Sequence, residues 1–211
     1  MKTKKIIYIL LLLTLLQLSR MLFEKIIFLF IDRNILSQKI VTMIFMIIVI
    51  VVSILIVRKK HIKINFFPKK FNYKYIISTI ILGLFIITSF IFSKTNILYQ
   101  YVAILSGSIV TVIFEEIIFR GFVYGSIEKN YNKLYTFIIC TILFGIWHIG
   151  YVDIIIFRTS LFFESPNILN IMIGKVIVGI GYGMILWLLR YKSKNVYSCV
   201  LFHSFLNTFL S

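Results

Sequence analysis

An all-α, polytopic bundle of membrane-spanning helices is the fold class that this amino-acid sequence predicts. Hydrophobic residues fill 60% of its 211 positions and the mean hydropathy is +1.00, beyond what a water-soluble domain carries. Only 2 prolines and 10 glycines leave little material for long irregular loops. The apolar residues also come in runs of about 20, the length a helix needs to cross the hydrocarbon core. A transmembrane barrel would need short alternating segments, and none occur.

About seven spans follow one another, at 6–23, 40–57, 75–92, 97–128, 134–149, 168–189 and a short one at 196–210. The first follows Lys2, Lys4 and Lys5 and imitates a signal peptide. Gln17-Leu18-Ser19-Arg20 offers no small-residue cleavage site, so this segment is expected to persist as a helix. The second and third flank a basic block that starts at Arg58. The fourth is long and is interrupted by charge at Glu115, Glu116 and Arg120. The polar run 128–133 turns it back into the fifth, making a helical hairpin. The sixth carries Gly174, Gly179, Gly181 and Gly183. These glycines resemble a phosphate loop only superficially, because no strand precedes them and the surrounding helix is apolar. Close helix packing is expected instead. The segments 23–31 and 151–163 are amphipathic and are expected to lie at the interface or to re-enter. No linker or repeat divides the chain, so one integral-membrane domain is expected over 1–211.

The formal net charge of +16 would suggest a nucleic-acid partner in a soluble protein. Here Lys and Arg sit between apolar runs, where they meet anionic headgroups and set orientation, so the expected partner is the lipid bilayer and not nucleic acid. Sixteen of the 23 basic residues fall in four segments, 2–5, 58–74, 120–133 and 190–194. That asymmetry predicts a multi-pass protein of the cell membrane with a cytoplasmic N-terminus. The Ile- and Lys-rich vocabulary suggests a bacterial source. Cys140 and Cys199 lie in apolar segments outside any metal-binding pattern and read as small core residues. Nothing in the sequence sets an oligomeric state.

Two of only 7 acidic residues, Glu115 and Glu116, stand side by side within an apolar span. A carboxylate at membrane depth costs about 3 kcal/mol or more unless paired, protonated or wet, and so marks a functional site. Glu116 and Arg120 are i,i+4 and share a face. Glu115 points about 100° away. Folding the chain about 128–133 places Glu115 and His148 each roughly 21–22 Å from the turn at about 1.5 Å per residue. His203 and Asn207, also i,i+4, lie roughly 13–20 Å beyond the basic run 190–194 on the same measure. Three helices thus bring polar groups to one layer, approached from the cytoplasmic side. Two histidines and a glutamate (Glu115, His148, His203) could also hold zinc with an open position, although the His-Glu-x-x-His pair of many zinc peptidases is absent.

These residues spell three motifs: Glu115-Glu116-Ile117-Ile118-Phe119-Arg120, Phe144-Gly145-Ile146-Trp147-His148 and His203-Ser204-Phe205-Leu206-Asn207. In this order on membrane helices they resemble the signature of the CAAX protease and bacteriocin-processing family, also called the Abi family or type II CAAX prenyl endopeptidases. The resemblance covers roughly 97–210. It implies an intramembrane endopeptidase whose site opens to the cytoplasm. It further implies that Glu115 and His148 activate the attacking water, that His203 and Asn207 stabilise the oxyanion, and that Glu116 and Arg120 shape the site. A metal-free mechanism without cofactor is favoured over a zinc one.

The expected substrate is a membrane-associated peptide or protein, such as a leader peptide, a quorum-sensing precursor or a bacteriocin. Bacteria generally lack prenylated CAAX proteins. The alternative is a bacteriocin self-immunity or interaction protein in which catalysis is dispensable. A proton-coupled transporter is a weaker alternative, because relay residues string along a path rather than gather in one layer.

Overall fold

The computed structural model describes residues 2–92 and 97–209. Ten α-helices occur among them: α1 (Lys2–Ile27), α2 (Ile35–Lys59), α3 (Tyr73–Ile91), α4 (Ile97–Ile104), α5 (Thr111–Glu116), α6 (Tyr124–Glu128), α7 (Lys133–Trp147), α8 (Val152–Ser160), α9 (Ile168–Ser193) and α10 (Tyr197–Phe209). Two π-helical stretches, Leu105–Val110 and Ile117–Val123, join α4, α5 and α6 into one helix. A 3₁₀ turn, His148–Tyr151, joins α7 to α8.

Six helices among the described residues are long and apolar enough to cross a membrane: Lys4–Ile27, Ile35–Lys59, Tyr73–Ile91, Leu98–Glu128, Lys133–Ser160 and Ile168–Ser193. The chain is a multi-pass helical membrane protein. The seventh apolar run is helical too, but α10 has 13 residues, about 20 Å at 1.5 Å per residue, against a core of about 30 Å. Leu210, its expected last residue, lies outside the described residues. The amphipathic segments are continuations of spans. Residues 23–27 finish α1 before a turn, and 151–160 prolong the fifth span through the 3₁₀ turn. One acid from each, Glu24 and Asp153, finds a partner inside the protein in Arg20.

Side-chain caps set several helix starts. Asn132 accepts a hydrogen bond from the Tyr135 amide at 2.9 Å, and Asn72 accepts one from Tyr75. Asn34 and Ser37 exchange reciprocal bonds at 2.9 Å each at the start of α2. Each such cap satisfies an amide that the first helical turn leaves without a partner. The polar run expected at 128–133 is therefore a turn because it ends in a capping asparagine. Helices α2 and α9 are each followed by a left-handed residue, His61 (φ 48°) and Lys194 (φ 60°), the conformation that unwinds a helix end.

The chain forms two compact units. The first comprises 1–38 and 123–188; the second comprises 39–122 and 189–211. In the first, α1 packs on α6 and on the 3₁₀ turn, and α6 packs on α7. Helices α7 and α9 meet through glycine. A Cβ on Gly145 would collide with Ile180 and approach the Val176 carbonyl to 3.1 Å, and one on Gly183 would meet the Thr141 backbone at 3.1 Å. Gly174 and Gly181 face open space. In the second unit, α10 packs on α3, on α5 and on the π stretch 105–110. The amides of Val196 and Tyr197 bond the carbonyls of Asn65 and Phe66 at 3.0 and 2.8 Å, tying the basic segment after α2 to the start of α10. Phe85 packs on Phe205 with centroids 5.3 Å apart.

Burial runs inside-out relative to a soluble protein. Helix α3 buries none of its residues and presents Ile77, Ile80, Ile81, Leu84 and Ile87 outward. In the Leu98–Glu128 span 61% of the most apolar window is buried, against 0–33% in the other five, so this is the most buried of the six spans. Cys140 and Cys199 are both buried thiols outside any disulfide, one in each unit.

We predict that Gly145→Ala destabilises the protein by about 1–3 kcal/mol, the cost of overpacking a tight contact. Gly181→Ala, which meets nothing within 4 Å, should leave stability unchanged or slightly raised. Equilibrium unfolding in mixed micelles reads both.

Candidate active site

The acid pair closes α5, the α-helical turn between the two π stretches. A π stretch shifts the helical register by about one residue and recurs at functional sites. Both carboxylates are buried, Glu116 completely.

Glu116 Oε1 is the hub of the second unit. It accepts from Arg120 Nη1 at 3.1 Å, as the i,i+4 spacing predicts, and from His203 Nδ1 at 2.9 Å. The second bond joins α5 to α10. Sequence reasoning placed both residues in one layer but not in contact, because the partners are 87 residues apart. Glu116 is thus more than a neutralised structural acid. Arg120, also buried, offers its backbone carbonyl to Arg190 Nε at 3.1 Å. Arg190 had been expected at a cytoplasmic loop; it lies instead in α9, which continues to Ser193, and it is buried. Among the buried side chains of this unit, two acids, Glu115 and Glu116, stand against two arginines, Arg120 and Arg190.

Asn207 lies one turn beyond His203 on α10 but serves a different neighbour. Its Nδ2 donates to the Gly107 carbonyl at 2.9 Å, in the first π stretch. His203 and Asn207 share a face, yet each is anchored to its own partner on the Leu98–Glu128 span. The side-chain amide has two N–H donors, so one remains beyond the bond to Gly107.

His148 opens the 3₁₀ turn in the first unit. Its Nδ1 lies 2.9 Å from the Phe144 carbonyl. A carbonyl only accepts, so Nδ1 carries the hydrogen, and in the neutral ring Nε2 is then the acceptor. Gly179 lies behind the ring. A Cβ there would come within 2.7 Å of Nδ1 and 3.1 Å of the Gly145 Cα. The glycines of the sixth span are thus packing residues as expected, and Gly179 in addition makes room for His148.

No group of three or more His, Cys, Asp or Glu among the described residues is arranged to hold a metal ion.

We predict that Glu116→Ala costs about 3–5 kcal/mol of stability, because it leaves Arg120 buried without its counter-charge. Glu116→Ala with Arg120→Ala should recover part of that loss in a double-mutant cycle.

A family model described as type II CAAX prenyl endopeptidase Rce1-like matches residues 97–209, just over half of the chain and all three motifs. No curated protein and no solved structure matches the chain.

Proposed function

Because the chain belongs to the type II CAAX prenyl endopeptidase Rce1-like family of membrane proteases, we propose that it hydrolyses a peptide bond in a membrane-associated peptide or protein. The observation that carries this reading is the family match, which contains the three polar motifs in order. Following those motifs, Glu115 takes a proton from water, with His148 accepting a hydrogen bond from the same water through Nε2. The hydroxide adds to the substrate carbonyl. His203 and Asn207 donate to the oxyanion, and the proton held by Glu115 passes to the leaving nitrogen as the C–N bond breaks. Water and one peptide bond become one carboxylate and one amine. No step is routed through a metal.

The surroundings of each group support its role. His148 is held as the Nδ1–H tautomer, the form whose Nε2 accepts. Asn207 retains a donor beyond the one given to Gly107. His203 gives Nδ1 to Glu116, so it donates from Nε2 only as imidazolium, and Glu116 supplies the matching negative charge at 2.9 Å. In this reading Glu116 is a positioning residue for His203, and Arg120 holds Glu116. The basic block at 58–74 sets the orientation we propose, with the site opening to the cytoplasm.

Purified protein in nanodiscs, offered a fluorescence-quenched peptide library, tests the proposal. Glu115→Gln and His148→Ala should each lower cleavage by about 10²–10⁴-fold, the worth of a general base. Asn207→Ala should lower it by about 10²–10³-fold, the worth of one oxyanion donor. A zinc chelator should have no effect. Unchanged cleavage in Glu115→Gln overturns the mechanism. Protection of cells from a bacteriocin that survives both Glu115→Gln and His148→Ala would favour an immunity role with dispensable catalysis.

A further inference from the structure

The first unit holds a second buried charged cluster, on α1, outside all three motifs. Gln17, Arg20 and Glu24 occupy one stripe of that helix, spaced by three and four residues. Arg20 is 2% exposed and uses all five of its N–H donors. Nε donates to Gln17 Oε1 at 3.0 Å. Nη1 donates to Glu24 Oε2 at 2.9 Å and Asp153 Oδ2 at 3.2 Å. Nη2 donates to Asp153 Oδ1 at 2.6 Å and to the Gly150 carbonyl at 2.7 Å. Gln17 Nε2 in turn donates to the Trp147 carbonyl at 3.4 Å. Glu24 also accepts from Gln38, whose Oε1 takes Arg33 Nε at 2.6 Å, so the cluster is tied to the start of α2. Arg20 faces two carboxylates, Glu24 and Asp153, and Arg33 reaches the cluster only through Gln38.

Every one of the long-range bonds from Gln17 and Arg20 lands on residues 147–153, which surround His148. A helix C-terminus leaves its last carbonyls without partners. In an apolar surrounding such groups cost several kcal/mol each. Here α1 donates to the carbonyl of Trp147, the last residue of α7, and to that of Gly150, inside the 3₁₀ turn that His148 begins. Gly150 fits this grip because a Cβ there would overlap the Gln17 amide. The Arg20 guanidinium also lies 5.2 Å from the centre of the Tyr151 ring. The side chain of His148 is fixed by Phe144 and Gly179; its backbone is fixed by α1.

We propose that Gln17 and Arg20, with Asp153, are positioning residues that set the orientation and tautomer of His148. This rests on the peptidase reading for its functional meaning, but it is testable without substrate. The chain has 3 histidines, His61, His148 and His203, so ¹⁵N-histidine spectra in nanodiscs resolve each ring once His148→Gln has assigned its signals. The native protein should show His148 as a single Nδ1–H tautomer. Arg20→Gln, and more mildly Asp153→Asn, should turn it into a mixture while the His61 and His203 signals stay in place. Arg20→Lys should not restore the native signal, because an ammonium cannot replace five forked donors. Cleavage of the quenched peptides should fall by about 100-fold in kcat for Arg20→Gln, the cost of misplacing a reacting group by about 1 Å. If Arg20→Gln does not fold, Asp153→Asn and Gly150→Ala carry the test. A His148 signal unchanged in these variants overturns the clamp, and so do changes spread over all three histidines. A clamp seen in the spectra beside full cleavage by Glu115→Gln would instead overturn the peptidase reading and leave the clamp standing.

Discussion

The charges that this chain buries have to meet counter-charges inside the protein, and the helices are arranged around that requirement. The two units meet it with hubs of opposite sign. In one, the Glu116 carboxylate is shared by Arg120 and His203. In the other, the Arg20 guanidinium is shared by Glu24 and Asp153. Each hub has one partner a single turn away and another far along the chain. The local partner lets the helix enter the bilayer without a naked charge. The distant partner then fixes which helix packs where. A buried ion pair is weak evidence for stability, since apolar residues of similar volume can hold a fold as well. Its value here lies in register: α10 can slide along the Leu98–Glu128 span only by breaking the bond between His203 and Glu116.

Irregular helix geometry is concentrated where these polar groups sit. The Leu98–Glu128 span departs from α-helical form on both sides of the acid pair, and α7 tightens into a 3₁₀ turn at His148. Bends in apolar helices are costly unless some other group bonds the displaced carbonyls. Asn207 does so at Gly107, Arg190 at Arg120, and Arg20 at Gly150. Departures from regular geometry and polar side chains therefore come together, each supplying what the other lacks.

Much of this was legible in the sequence, and what was not has one physical origin. Spans, hairpin and capping turn are local, written in runs of about 20 apolar residues and in single asparagines. The pair Glu116 and Arg120 is local too, as an i,i+4 contact. The three motifs placed the residues of interest on the helices where they are found. What escaped was the set of contacts between distant segments. His203 meets Glu116 across 87 residues, and Arg20 meets Asp153 across 133. Arg20 had read only as part of a failed cleavage site. A signal was present nonetheless: Gln17, Arg20 and Glu24 form a polar stripe on a helix rich in leucine and isoleucine, and such a stripe needs an inward-facing partner.

The two thiols give the molecule a built-in pair of strain gauges. Cys140 and Cys199 are its sole cysteines, both are shielded from solvent and lipid, and each belongs to a different compact unit. A thiol sequestered in this way reacts with an alkylating reagent only when the surrounding helices part. Labelling followed site by site would time the opening of one unit against the other in the unaltered chain. The same shielding makes the native cysteines silent in the folded state, so a label placed on an outward residue of α3 would report from that position alone.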